Sequence, residues 1–120
     1  MANEAQVTAI LTFAKGNIAQ FQRGTSAQNV NVSGTKFIHN VMTVPTTKTA
    51  LALGSVGTPG YCYMRNQDST NFVTIYPDNT GNAVIKLKAG ECAVFRLGTT
   101  TPYALADTAS VALEYYIVED

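Results

Sequence analysis

Short runs in which apolar and polar residues alternate recur along the chain and constrain its fold more than any other feature. Alternation with a period of two is typical of β-strands that bury one face. Glycine, proline, asparagine and aspartate separate the runs at intervals of roughly 8–12 residues, as tight turns do in all-β domains. The predicted strands cover residues 7–13, 17–23, 28–32, 35–44, 49–53, 61–65, 72–76, 83–87, 92–97, 103–105 and 111–118.

This pattern predicts an all-β fold, an antiparallel β-sandwich or jelly-roll-like barrel of about ten short strands. A chain of 120 residues suits one domain, which is expected to span residues 1–120. The best helical candidate is residues 2–14, but its valine and threonine content argues against a helix. The predicted core consists of Leu51, Leu53, Val73, Ile75, Val84, Leu87, Val94, Phe95 and Leu113, with the reservation that neighbours such as Val94 and Phe95 cannot share a face.

The chain carries unusually little charge. Charged residues make up 13% of it, against roughly 25% in an average soluble domain, and eight basic residues balance eight acidic ones. No basic stripe is present, which argues against nucleic-acid binding, and no apolar run is long enough to predict a membrane-spanning helix. A surface so poor in charge is typical either of an extracellular β-domain or of a protein largely covered by partners.

His39, the single histidine, alternates with Phe37 and Val41 in a predicted strand, which indicates a core or interface position. A catalytic base would need a nucleophile and an orienting partner, and no such motif surrounds any serine or cysteine. We therefore expect no enzymatic activity, no catalytic residue, no cofactor and no metal site.

Carboxylates offer a weaker case for chemistry. Glu91, Glu114 and Asp107 could act in glycoside hydrolysis if two of them lay about 5–10 Å apart, but nothing else in the sequence supports this. Arg65 has a structural explanation, since it could clamp a turn by pairing with Asp68 or Glu91.

The predicted turns contain oxygen ligands that calcium could use, but their spacing is not that of an EF-hand loop. Side-chain capping of the turns explains them without a metal, and the same explanation, or a positive φ, suits Asn66. The calcium candidates are Asp68, Asn71, Asp78 and Asn79.

Cys62 and Cys92 lie in predicted strands outside any CxxC motif, so buried free thiols are favoured, while a disulfide between them stays open.

Tyr115 and Tyr116 are adjacent in a predicted strand and must point to opposite faces of its sheet. One of the two tyrosines is therefore expected to face outward, where it is available to a partner. A protein partner is favoured over a sugar because the chain has no tryptophan.

Three segments carry a resemblance to a known class of protein. Residues 60–75 read GYCYMRNQDSTNFVTI, residues 85–97 read IKLKAGECAVFRL, and residues 113–120 read LEYYIVED. Over about residues 50–120 the chain resembles small virion proteins of tailed bacteriophages. The resemblance implies a β-sandwich that decorates the capsid or forms part of the tail or a fibre, and it brings no catalytic residue with it.

The resemblance and the low charge together predict a non-enzymatic virion structural protein, namely a capsid decoration (cement) protein that stabilises the head by bridging capsid subunits. The alternative is a receptor- or carbohydrate-binding module of a tail fibre or tail accessory protein. The expected partners are the major capsid protein or other virion proteins, and further copies of the chain, with a trimer favoured.

No signal peptide is recognisable, so the chain is expected to be made in the host cytoplasm and to end in the virion. Residues 1–6 and 118–120 are candidates to pair with a neighbouring molecule, because few lysines are present to protect strand edges.

Overall fold

A computed structural model describes residues 4–16 and 18–120, which contain ten β-strands and no helix. All strand pairings within these residues are antiparallel, so the predicted all-β fold is confirmed. The strands are β1 (Ala5–Lys15), β2 (Ile18–Val30), β3 (Phe37–Val44), β4 (Thr49–Ala50), β5 (Pro59–Asn66), β6 (Val73–Tyr76), β7 (Ile85–Leu87), β8 (Cys92–Arg96), β9 (Tyr103–Ala106) and β10 (Val111–Glu119).

The strands belong to two compact units, Met1–Val32 and Ser33–Asp120. The first unit holds the hairpin β1–β2, and the second holds two four-stranded sheets in the orders β3-β10-β5-β8 and β4-β9-β6-β7. The single domain expected over residues 1–120 stays a prediction. Of the terminal segments expected to pair with a neighbour, residues 1–3 lie outside the described residues, while Val118 and Glu119 belong to β10.

One strand, β2, covers the segment that the sequence divides into two predicted strands. The pairing of Val7 with Gln28 and of Ala9 with Thr25 leaves two residues of β2 opposite Thr8. Ala27 adopts a positive φ of 54° there, and its N–H donates to Thr8 Oγ1 at 3.0 Å. This β-bulge accommodates one extra residue without ending the strand. Beyond it the order of inward and outward side chains is shifted by one residue, which interrupts the alternation in the sequence.

The two sheets of Ser33–Asp120 bury a common core as a β-sandwich. β10 lies between β3 and β5, and four alternating residues along it (Val111, Leu113, Tyr115 and Ile117) are fully buried. The opposite sheet contributes Val73, Ile75, Leu87, Ala104 and Ala106 to the core.

Most of the predicted core is confirmed. Leu51, Val73, Ile75, Leu87 and Leu113 are buried, and Leu53 and Phe95 pack against them.

The predictions for Val84 and Val94 were wrong, since these side chains are 67% and 42% exposed. Val94 is adjacent to the core residue Phe95 and so points away from the core. Val84 is an odd number of positions from Leu87, so the two cannot share a face in a regular strand.

Glu119 ties two loops to the end of β10. Its Oε2 accepts the Gly57 N–H at 2.9 Å, and its Oε1 accepts the Thr35 N–H at 3.2 Å. These two bonds, aided by Lys36, lower the pKa of the Glu119 carboxyl. The pKa values of Asp68 and Asp78 are lowered in the same way by backbone N–H groups of their own turns.

We therefore expect the free energy of unfolding to fall at acid pH. A carboxyl whose pKa is lower in the folded state stabilises the fold at every pH above its pKa in the unfolded chain, which is about 4. This contribution is lost as the pH falls through the lower pKa of the folded state. Urea unfolding at pH 7 and at pH 3 measures the loss. Glu119→Gln should reduce the pH dependence, and an unchanged pH dependence in that variant would contradict the assignment.

Candidate functional site

The outward side of the sheet β3-β10-β5-β8 is rich in exposed apolar residues, and we call it the outer face. Phe37 and Val41 on β3 are 66% and 51% exposed. Tyr116 on β10 and Val94 on β8 are 44% and 42% exposed. Exposed apolar residues gathered on one face mark interaction surfaces more often than residues scattered singly do.

A row of side chains crosses the middle of the outer face. Tyr116 pairs with His39 on one side and with Tyr63 on the other, and Tyr63 pairs with Val94. The rings of His39 and Tyr116 stack with centroids 4.0 Å apart, and the Tyr63 ring lies 6.2 Å from Tyr116. Residues paired across antiparallel strands project to the same side, which explains the row.

The expectation that Tyr115 and Tyr116 point to opposite faces is confirmed. Tyr115 is fully buried, and its hydroxyl donates to the Ala52 carbonyl at 2.7 Å. The single histidine, His39, is on the outer face rather than in the core. Of the two positions that the sequence allowed for His39, core and interface, the interface position is the one that stays a prediction.

Polar groups lie among the apolar residues of the outer face. His39 Nε2 contacts Glu114 Oε2 at 3.0 Å, and Arg96 pairs with Asp120 at 2.9 Å. Arg65 is opposite Glu114 in the strand pairing but forms no ion pair with any described residue. The outer face thus presents one guanidinium that no described carboxylate neutralises.

The clamp that Arg65 could form with Asp68 or Glu91 is absent from the ion pairs of the described residues, and both carboxylates bind backbone N–H groups instead. Asp68 Oδ2 accepts the N–H groups of Thr70 and Asn71, and Glu91 Oε1 accepts the Lys88 N–H at 2.8 Å.

The candidate carboxylates for glycoside hydrolysis are in separate local structures. Glu91 caps its own turn, and Glu114 binds His39. Asp107 lies just beyond β9, where its backbone N–H donates to the Phe72 carbonyl.

Two clefts open elsewhere on Ser33–Asp120. A cleft of about 380 Å³ is lined mainly by apolar residues, including Ile75, Val84, Phe95 and Leu97, and by no carboxylate. A second cleft of about 520 Å³ includes Asp120. Neither cleft brings two carboxylates together.

The two aspartates considered for calcium are occupied by turn bonds, and Asn71 Oδ1 accepts the Thr108 hydroxyl at 2.9 Å. Asp78 Oδ1 accepts the backbone N–H groups of Thr80 and Gly81, as Asp68 does in its own turn. Within residues 4–16 and 18–120 no three histidine, cysteine, aspartate or glutamate side chains are grouped so as to hold a metal ion.

Asn66 is the polar residue whose importance the sequence understates. It is fully buried, its Nδ2 donates to the carbonyls of Asn71 and Leu87, and its Oδ1 accepts the Asp68 N–H at 2.8 Å. Side-chain capping was one of the two explanations that the sequence allowed for Asn66, and the structure selects it. No local sequence pattern indicates that the Asn66 side chain is buried.

The cysteines are both free, Cys62 buried in the core and Cys92 exposed on the outer face. Burial raises the pKa of the Cys62 thiol to about 12. The prediction of free thiols is confirmed, but the expected burial is wrong for Cys92, which follows from its pairing opposite the outward Arg65.

We expect one thiol to react rapidly with a disulfide reagent in the native protein, because the thiolate is the reactive form and Cys62 stays protonated. Absorbance of the released thiol measures the stoichiometry, and unfolding in urea should release a second equivalent. The Cys92→Ser variant, assayed in its folded state, should show no rapid phase. A rapid phase that persists in this variant would contradict the assignment.

No helix long and apolar enough to cross a membrane occurs in the described part of the chain. Comparison with known proteins returns no matching family model, no matching curated protein and no matching solved structure.

Proposed function

We propose that this protein is a non-enzymatic structural protein of a tailed-bacteriophage virion, which decorates the capsid by binding capsid subunits through the outer face. The observation that carries the proposal is the collection of exposed apolar and aromatic side chains on one side of the sandwich. The resemblance of residues 50–120 to small virion proteins is the reason for proposing a phage particle as the assembly that this surface binds.

The composition of the outer face suits a protein partner. Aromatic residues and arginine are enriched in protein interfaces, where they act as anchors in the buried centre. The outer face offers Phe37, Tyr116, Val94 and Arg65 within one sheet. Because Arg65 has no described carboxylate partner, we expect the capsid surface to place an acidic side chain opposite it.

A decoration function follows from such a surface by mass action. A ligand that binds the assembled shell but not its separated subunits shifts the equilibrium toward the shell. Each contact can be weak, since many neighbouring sites act together on one particle. The low charge of the chain suits a protein whose surface is mostly covered in its working state.

The test uses particles of the phage whose genome encodes this chain. We expect mass spectrometry to find many copies of the chain per purified head. Heads stripped of it should release their DNA at a lower temperature than heads to which it is restored. Absence from the particle, or an unchanged release temperature, would contradict the decoration function.

A receptor- or carbohydrate-binding module is the second candidate, and the exposed stack of His39, Tyr116 and Tyr63 favours it. Aromatic rings with polar tips can bind the apolar side of a sugar while hydrogen-bonding its hydroxyls. Binding of the isolated protein to a glycan array, lost in Tyr116→Ala, together with no effect on head stability, would select this function.

A further inference from the structure

The hairpin β1–β2 exposes large apolar side chains. Ile10 and Leu11 on β1 are 56% and 64% exposed, and Phe21 on β2 is 41% exposed. Its sheet has two strands, and an isolated two-stranded hairpin is marginally stable in water. Three or more strands with a shared apolar face are needed for independent stability, which indicates that additional strands join this sheet.

The two edges of the hairpin differ in how well they are protected. Residues 5–14 of β1 read AQVTAILTFA, with no charge, proline or glycine. Natural edge strands usually carry such residues or a bulge to prevent pairing, and residues 5–14 have none of these devices, since the one charge of β1 is its last residue, Lys15. The edge of β2 is protected, because the bulge at Ala27 interrupts it. The outer edge of β1 is therefore the edge open to a further strand.

We infer that β1 pairs, antiparallel, with β1 of a second copy of this chain, forming the four-stranded sheet β2-β1-β1-β2. The opposite charges at the two ends of β1 favour this occupant, because they are complementary to those of a second, antiparallel copy. Glu4 precedes the strand and Lys15 ends it, and neither forms an ion pair with a described residue. An antiparallel pair brings the end of β1 that carries Glu4 in each copy next to the end that carries Lys15 in the other, whereas a parallel arrangement would bring like charges together.

The register follows from pairing β1 along its whole length. Ile10 is the midpoint of Ala5–Lys15, so a full-length antiparallel pair places the Ile10 residues of the two copies opposite each other at a two-fold axis. Such an interface is closed, since each copy uses the same edge and the bulged edge of β2 stays outside. The pairing gives a dimer, whereas the sequence favoured a trimer.

The first test measures the mass of the full-length protein by sedimentation equilibrium. We expect twice the 12.8 kDa of one chain. Ile10→Lys would place two positive charges opposite each other and should raise the dissociation constant about ten-fold or more. Gln22→Lys adds the same charge on β2, away from the axis, and should leave the dimer intact. A monomer or trimer, or a dimer indifferent to Ile10→Lys, would overturn the inference.

A charge exchange tests the relative direction of the two strands and covers the case in which Ile10→Lys fails to fold. Glu4→Lys and Lys15→Glu should each weaken the dimer roughly two- to ten-fold, since each replaces the attraction between neighbouring strand ends by repulsion. The double variant should restore it. Failure of the double variant to recover would overturn the antiparallel pairing.

Discussion

Replacing Asn66 by alanine is expected to lower the free energy of unfolding by about 3–5 kcal/mol. The side chain makes three hydrogen bonds that hold the turn after β5 and the end of β7, and it is fully buried. Alanine would leave two carbonyl groups and one N–H without their partners, and an unsatisfied buried polar group costs about 1–3 kcal/mol. Urea unfolding followed by circular dichroism gives the change.

Two further variants separate the hydrogen bonds of Asn66 from its volume. Asn66→Asp keeps the shape and the acceptor but loses the donor, so it should be destabilised nearly as much at pH 7. Asn71→Ala removes one acceptor for the Thr108 hydroxyl at the surface and should cost less than about 1 kcal/mol. Equal stability of Asn66→Asp and the native protein would show that the donated bonds do not matter.

Leu113→Ala is expected to cost about 2–5 kcal/mol, because it leaves a cavity in the centre of the sandwich. Leu113 is fully buried in β10, between Met42 of β3 and Asn66 of β5. Val94→Ala provides the control on the same sheet, and its exposed side chain should change stability by less than about 0.5 kcal/mol. Equal losses at the two positions would mean that the faces of this sheet are assigned wrongly.

The sequence predicts the strands well because turn residues interrupt the alternation at nearly every real turn. It predicts strand faces less well, for a reason visible in β3 and β8. Phe37 and Ile38 are adjacent and both apolar, as are Val94 and Phe95, so the alternation does not indicate which side is the core. Only the packing of the second sheet decides this, and packing is a long-range property.

The same ambiguity identifies the outer face in retrospect. A strand of a sandwich with one solvated side is expected to be polar on that side. β3 and β8 carry exposed apolar residues on that side as well, namely Phe37, Val41 and Val94, which is the pattern expected if a partner covers this surface. The bulge at Ala27 escapes prediction for a different reason, because the sequence predicts a break over residues 24–27 and alanine seldom adopts the positive φ that accompanies the bulge there.

The most direct measurement of the central claim, binding through the outer face, is cosedimentation of two matched variants with stripped phage heads. Phe37→Asp places a charge on the outer face, and Val84→Asp places one on an equally exposed valine outside it. We expect Phe37→Asp to weaken binding roughly 30-fold or more, as removal of an interface anchor does, and Val84→Asp to bind as the native protein does. Native-like binding by Phe37→Asp, or equal losses in the two variants, would contradict the claim.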